Sequence, residues 1–497
     1  MRKFDGTTLP ALHDYLGARL SREAAEPLNR QLYRALREAI VAGHLERGRA
    51  LPASRALAEA LDLARNTVLH AYAQLCAEGY CSGRGGAGTF VAASMPDAPP
   101  LAAAAVAPAG DGVPTLSRRG QALLDTLALR SEPAGPAFAP GLPELAAFPW
   151  ATWFKLLQRR QRAAAPAEFD YRGAGGRPEL RAALADYLRL SRGVNCDAAQ
   201  VLVTGGMQQT LDLLARTLAD PGDTVWMEEP GYLGARTAWQ AAGLAIAPVP
   251  VDAGGLAWQD RALPPPRLVY VTPSHQYPLG SVLGLERRQA LLAEAGRHGA
   301  WIVEDDYDSE FRHAGRPLAA MQGLDRAGRV LYLGTFSKVM FPALRLAYLV
   351  APPALVEPLR RLQARLYREG DYATQAALAD FIAEGHFGAH LRRMRGIYAR
   401  RQARLRGTLA AELGDGVRLH GGEAGMHVVL QLRAGSDDRA ASTALQAIGL
   451  AAPPLSAYCA AEPPFPGLVL GYAGVDDAAL MLAAVRLARV LRAMGMV

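Results

Sequence analysis

Lysine is nearly absent from this chain. The 497 residues carry 54 Lys and Arg side chains, yet lysine stands only at Lys3, Lys155 and Lys338. Arginine fills the other basic positions. A bias of that kind removes lysine wherever arginine can substitute, and arginine cannot substitute where a deprotonated amine must attack a carbonyl. Lys338 stands in Gly334-Thr335-Phe336-Ser337-Lys338, after the apolar run Val330-Leu331-Tyr332-Leu333, which reads as a buried strand. A lysine on a loop at a strand end in this background is a Schiff-base candidate; the bland alternative is a residual surface lysine. Cysteine is scarce too. Cys76, Cys81, Cys196 and Cys459 show neither CxxC nor metal spacing, which argues against a disulfide framework or a structural metal and predicts reduced thiols in a cytoplasmic protein. No apolar run approaches membrane-spanning length, and Met1-Arg2-Lys3-Phe4-Asp5 lacks an apolar leader, so no membrane partner is expected.

What is present allows two or three domains with a sizeable core, since half the residues are hydrophobic. The net charge of +7 fits an anionic partner without requiring one.

After Pro27, apolar residues recur at helical spacing from Leu28 to Ile40. Pro52 keeps Leu51 extended, and Ser54 is placed to cap a helix over 55–61. A short break leads to a second helix over 65–75 opening with Arg65-Asn66-Thr67, with Val68, Tyr72 and Leu75 facing inward. Two short helices and a tight turn make a helix-turn-helix. Cys81–Arg84 and Thr89–Val91 read as strands around the glycine-rich tip Gly85-Gly86-Ala87-Gly88, which can lie close to a phosphate backbone. The set Gly48…Leu51-Pro52-Ala53-Ser54-Arg55…Arg65-Asn66-Thr67-Val68…Tyr72…Glu78-Gly79…Gly88-Thr89-Phe90-Val91 resembles the winged helix-turn-helix of the GntR family of bacterial regulators. The resemblance implies contacts to a double-stranded DNA operator from Arg55, Arg65, Asn66 and Thr67, with Gly86 and Gly88 in the wing.

The DNA-binding domain is expected over 21–93, followed by an Ala/Pro-rich linker over 94–133 and a large domain over 134–497. A short helix over 120–129 is expected near the end of the linker. Beyond it, strand-like and helix-like segments alternate, with strands expected at Val201–Val203, Thr224–Met227, Leu244–Ala247, Leu268–Val271, Trp301–Glu304, Val330–Leu333 and Ala347–Val350. This predicts an α/β fold with a mainly parallel sheet and a ligand site off the carboxyl ends of its strands.

Those ends carry polar residues. Thr204-Gly205-Gly206-Met207 opens a helix and can cradle a phosphate, although such turns are often only turns. Glu229-Pro230-Gly231-Tyr232 offers an aromatic that could stack on a flat ring. Thr272-Pro273-Ser274-His275-Gln276-Tyr277-Pro278 makes a tight polar loop. The run Glu304-Asp305-Asp306-Tyr307-Asp308 allows three readings: a divalent metal site, a solvated acidic loop, or one buried Asp partnering a ring nitrogen. No His–carboxylate spacing supports the metal. Asp305 with Lys338 on the next strand end fits pyridoxal 5'-phosphate, with Ser337 and the fork of Arg345 as a phosphate clamp.

Together these motifs resemble fold-type I, class I aminotransferases over 137–497, here with a small C-terminal α+β subdomain. The whole layout looks like the MocR family of bacterial transcription regulators; Gly385-His386…His390-Leu391-Arg392-Arg393-Met394-Arg395 also matches. The resemblance implies a Schiff base at Lys338, Asp305 on the pyridine nitrogen, Tyr307 on the ring hydroxyl and Tyr232 stacked on the ring. It implies Gly206, Met207, Ser337 and Arg345 on the phosphate, and a head-to-tail homodimer. Two departures stand out. Tyr277-Pro278 replaces the usual Asn-Pro, so the asparagine contact to the ring hydroxyl is absent or is taken over by His275 or Gln276, with Tyr277 itself a cofactor-binding candidate. Gly467-Leu468-Val469-Leu470-Gly471 carries an apolar residue where an arginine should grip a substrate carboxylate. The expectation is a transcription regulator that senses pyridoxal phosphate or its amine adduct, with control of vitamin B6 metabolism suited to it. A working aminotransferase with a fused DNA-binding module is the alternative.

Overall fold

The computed structural model describes residues 9–84, 88–93, 116–124, 137–170, 175–313, 318–367, 370, 372–414 and 418–497. The chain divides into two compact units, Met1–Thr115 and Leu116–Val497.

In the first unit the helix Leu28–Val41 buries Leu32, Ala35, Leu36, Ala39 and Ile40, one stripe at three-to-four spacing. Helices Ser54–Ala60 and Arg65–Ala77 follow, joined by a turn in which Asp62 takes φ +51°. Leu57, Val68, Tyr72 and Leu75 complete the core. Ser54 does not cap its helix. The carbonyl of Ala53 already accepts the amide of Leu57 at 3.0 Å, so the first turn starts one residue early and Ser54 lies inside it. Strands Cys81–Arg84 and Gly88–Val91 pair antiparallel. The extended Arg49–Leu51 joins them: the Leu51 amide donates to Thr89 O at 2.7 Å and the Val91 amide to Arg49 O at 2.8 Å. The result is a winged helix-turn-helix. Most of the expected linker lies outside the described residues. The helix expected over 120–129 is described as Arg118–Leu124, and its expected remainder lies outside them.

The second unit is built on an eight-stranded sheet. Its spatial order is Val201–Thr204, Ala347–Val350, Val330–Thr335, Trp301–Asp305, Leu268–Val271, Thr224–Glu229, Ala245–Asp252 and Gly255–Leu256. The five strands from Val330–Thr335 to Ala245–Asp252 run parallel, whereas Ala347–Val350 is antiparallel to both its neighbours. Alternate side chains enter opposite cores. Leu331 and Leu333 pack with Leu214 and Trp239, while Tyr332 packs with Leu184 and Phe381. A parallel sheet covered on both faces needs such continuous apolar strands. The C-terminal part adds a small antiparallel sheet of Leu419–His420, His427–Gln431 and Gly467–Gly471, with helices His386–Leu413, Asp438–Ala447 and Asp477–Ala493. The fold is α/β of fold type I with a small C-terminal α+β subdomain.

The parallel strands bring Glu229, Val271, Asp305 and Thr335 to one edge of the sheet. Gly334 keeps that edge closed: a Cβ there would lie 2.2 Å from Tyr348 Cζ, and Tyr348 is buried. Gly334→Ala is therefore expected to cost about 1–3 kcal/mol of stability through overpacking. Urea denaturation of the full chain checks this, and an unchanged midpoint would contradict it.

Candidate functional site

Asp305 ends its strand almost wholly buried, with 3% exposure. Its Oδ2 accepts the Tyr270 hydroxyl at 2.6 Å, and its Oδ1 has no hydrogen-bond partner among the described residues. Burial pushes the Asp305 carboxyl up to about 7. The Tyr270 hydrogen bond and the Lys338 charge oppose that rise, while Asp306 and Asp308 add to it. A buried carboxylate oxygen without a donor fits a ligand that brings its own cationic N–H.

Lys338 follows on the neighbouring strand, which pairs in parallel with Asp305 opposite Leu333. It stands in a short helical turn, Phe336–Val339, and not in the loop expected from sequence. The Thr335 hydroxyl oxygen accepts the Ser337 amide at 3.2 Å and starts that turn. Lys338 Nζ donates to Gly141 O at 3.0 Å. Desolvation lowers the Lys338 pKa from its ordinary value, with Asp308 and Asp305 opposing. The amine is thus biased toward its nucleophilic, neutral form.

Gly206, at φ +112°, precedes the helix Met207–Leu218, whose first amides point outward. Arg345 takes the left-handed conformation at φ +51°. Its guanidinium carbon lies 3.8 Å from where a Cβ on Gly206 would be. Arg345 is exposed and has no carboxylate partner among the described residues. A free arginine fork at a helix N-terminus is a phosphate site in chemical terms. Ser337 and Met207 are half-buried, on the Lys338 turn and the helix start respectively.

Tyr232, Tyr277 and Tyr307 meet edge to face, at 5.9 Å for Tyr232–Tyr277 and 5.6 Å for Tyr277–Tyr307. All three are half-buried, so a flat ring could find an aromatic partner among them. Tyr277 Oη lies 3.4 Å from Tyr458 Oη. His275 is buried and makes its contacts with Tyr307 and Asp308. Orphan acceptor, lysine amine, aromatic faces and unpaired arginine together fit pyridoxal 5'-phosphate.

The acidic run divides by residue. Glu304 accepts the amides of Met321 and Gln322 at 2.7 and 2.8 Å, Asp306 pairs with Arg192 at 2.7 Å, and Asp308 with His275. Among the described residues no group of His, Cys, Asp and Glu could hold a metal ion. The solvated-loop reading is overturned, because Glu304, Asp305, Asp306 and Asp308 are all buried. Val469 is fully buried with Val429, Leu455 and Tyr458, beside Tyr277 and Leu279.

Sequence reading did not single out Tyr270, Gly141, Asp308 or His427. A tyrosine in an apolar strand signals a hydroxyl that needs a buried partner, so Tyr270 could have been found. Gly141 sits far away in sequence and carries no signal beyond a turn.

In the first unit, Arg55, Arg65 and Asn66 are exposed and Thr67 is half-buried. Arg55 and Arg65 have no ion pair among the described residues. Gly88 begins the second wing strand at φ +105°, and Gly86 lies outside the described residues. The basic cluster on His386–Leu413 splits: Arg401 is buried against Glu144 and Asp477, Arg395 donates to Glu310 O, and Arg392, Arg393 and Arg400 face solvent. No helix among the described residues is long and apolar enough to cross a membrane.

Residues 148–487 match the aminotransferase class I and II family, and residues 28–91 match the bacterial regulatory proteins of the gntR family. The probable rhizopine catabolism regulatory protein MocR of Rhizobium meliloti is 46% identical over 92% of this chain and 92% of its own length. The pyridoxine biosynthesis transcriptional regulator PdxR of Corynebacterium glutamicum is 32% identical, over 90% of this chain and 92% of its own. Among solved structures, the Pyrococcus horikoshii kynurenine aminotransferase in complex with PMP is 26% identical with a TM-score of 0.66, covering 77% of this chain and 96% of that one. A gntR-type head and an aminotransferase body in one chain, with 92% of it aligned to such a relative, place this protein in the MocR-type family of gntR transcription regulators.

Proposed function

We propose that this chain is a DNA-binding transcription regulator whose large unit receives pyridoxal 5'-phosphate, or that cofactor joined to an amine, as its signal. When bound, the cofactor supplies an electrophilic aldehyde and an electron-sink ring. Lys338 is the amine that holds the aldehyde. Asp305 keeps the pyridine nitrogen protonated, Tyr232 covers the ring, and Tyr307 with His275 and Tyr277 addresses the ring hydroxyl. Gly206, Met207, Ser337 and Arg345 hold the phosphate. Arg55, Arg65, Asn66, Thr67 and the wing around Gly86 and Gly88 meet operator DNA, the backbone contacts setting affinity and the base contacts specificity. The working form is a head-to-tail homodimer in the cytoplasm.

The observation that supports this reading is that Lys338 and Asp305 stand at the ends of adjacent parallel strands, while Val469 is buried beside Tyr277. On this reading, Val469 stands where an arginine would grip a substrate carboxylate. A site that keeps its cofactor and lacks that bidentate contact has little means of stabilising amino-acid turnover. The cofactor itself is then the favoured effector, which suits control of vitamin B6 synthesis or salvage; the relative named for pyridoxine biosynthesis supports this.

Three outcomes test the proposal. Adding pyridoxal phosphate to the purified chain gives a visible absorption band that Lys338→Ala abolishes; a band unchanged in the variant refutes covalent attachment there. Arg65→Ala weakens binding to double-stranded DNA from the region beside its own gene by about tenfold, the scale of one lost charged contact. The band stays intact in that variant, and loss of both functions contradicts the division of labour. A panel of amino acids in single-turnover assays yields little or no keto acid, whereas rapid conversion favours the aminotransferase reading.

A further inference from the structure

Tyr307 Oη lies 2.9 Å from His275 Nδ1, and Asp308 Oδ1 lies 3.0 Å from the same nitrogen. One ring nitrogen therefore faces two oxygens, and its protonation decides what Tyr307 does. With a lone pair, Nδ1 accepts the Tyr307 proton and meets the Asp308 carboxylate lone pair to lone pair. With a proton, Nδ1 donates to Asp308 and to the phenolic oxygen in a three-centre bond, and the Tyr307 O–H is left to donate elsewhere.

Asp308 selects between these states. It is 1% exposed, and its Oδ2 has no hydrogen-bond partner among the described residues. Nδ1–H is then the one donor available to a buried carboxylate, and losing it would leave that charge with none. Backbone closes over the pair. A Cβ on Gly425 would lie 2.1 Å from His275 Cε1 and 2.7 Å from Asp308 Oδ2, and one on Gly280 would lie 3.2 Å from His275 Nε2. Two glycines from separate loops thus fix the imidazole in this orientation.

We propose that Asp308 and His275 are positioning residues that turn the Tyr307 proton toward the ring hydroxyl of the cofactor. This rests on the cofactor reading above. The relay faces Asp305 and Glu228 from neighbouring strand ends, Lys338, Tyr277, His313, Tyr472, and His427 at 5.3 Å between ring centroids. Burial holds His427 down at about 4, so it stays neutral through the range in which the bound chromophore is followed. A donor on the ring oxygen stabilises its anionic form and holds the chromophore's titration midpoint down; removing the donor raises it.

The test is a pH titration of the visible band in the cofactor-loaded full chain. Asp308→Asn is isosteric, yet a neutral amide no longer requires a proton on Nδ1, so the lone pair becomes available there and can accept the Tyr307 proton. The midpoint is expected to rise by about one pH unit, the scale of one hydrogen bond to a charged group. Tyr307→Phe shifts it in the same direction, and the double variant adds nothing further. An unchanged midpoint in Asp308→Asn, or fully additive shifts, overturns the relay. Should Asp308→Asn fail to fold, 15N NMR of the histidine-labelled parent reads the tautomer directly: Nδ1–H supports the proposal and Nε2–H overturns it. A parent chain with no visible band at all overturns the cofactor reading and the relay with it, which distinguishes the two failures.

Discussion

A carboxylate buried with one oxygen unpaired is the constraint on which the large unit depends. Asp305 sits at 3% exposure, and among the described residues only the Tyr270 hydroxyl bonds to it. Taking such a group out of water is costly unless a donor arrives. The structure holds it there because its strand is locked between two parallel neighbours and covered by apolar cores on both faces. The register that pairs Asp305 with Leu333 also sets where the next strand releases its chain, and five residues later comes Lys338. One piece of sheet geometry thus places an acid and an amine beside each other, and each then alters the other's protonation.

What surrounds that pair decides its use. Arg345 has no carboxylate partner among the described residues and lies beside the start of a helix, a setting that attracts a phosphate. Elsewhere in the unit, Val469 is sealed among Leu455, Tyr458 and Val429 and packs beside Tyr277. Joined to a winged helix-turn-helix whose leading arginines face solvent, the site makes sense as a receptor that reports occupancy to DNA.

Much of this was legible in the sequence because the signals were local. Val330-Leu331-Tyr332-Leu333 had to be a two-sided strand, and the Arg65-Asn66-Thr67 helix start and Gly88 needed only short-range patterns. The shared shortfalls are equally physical. Ser54 looked like a cap, but Ala53 O had already taken the first helical bond. Lys338 looked like a loop residue, because a four-residue turn nucleated by Thr335 leaves no periodicity to read. The acidic run gave composition without direction, and only folding shows that Asp305 and Asp308 turn toward the site while Glu304 binds backbone amides. Gly141 reaches Lys338 across 197 positions of chain, a separation no local pattern carries.

If occupancy at Lys338 sets DNA affinity, that coupling must appear as a free energy linking the two sites. The direct measurement is the Kd for double-stranded DNA from beside the gene, with and without saturating pyridoxal phosphate, in the parent and in Lys338→Ala. The predicted result is a change of about fivefold or more in the parent and none in the variant. The same Kd under all four conditions would contradict the account.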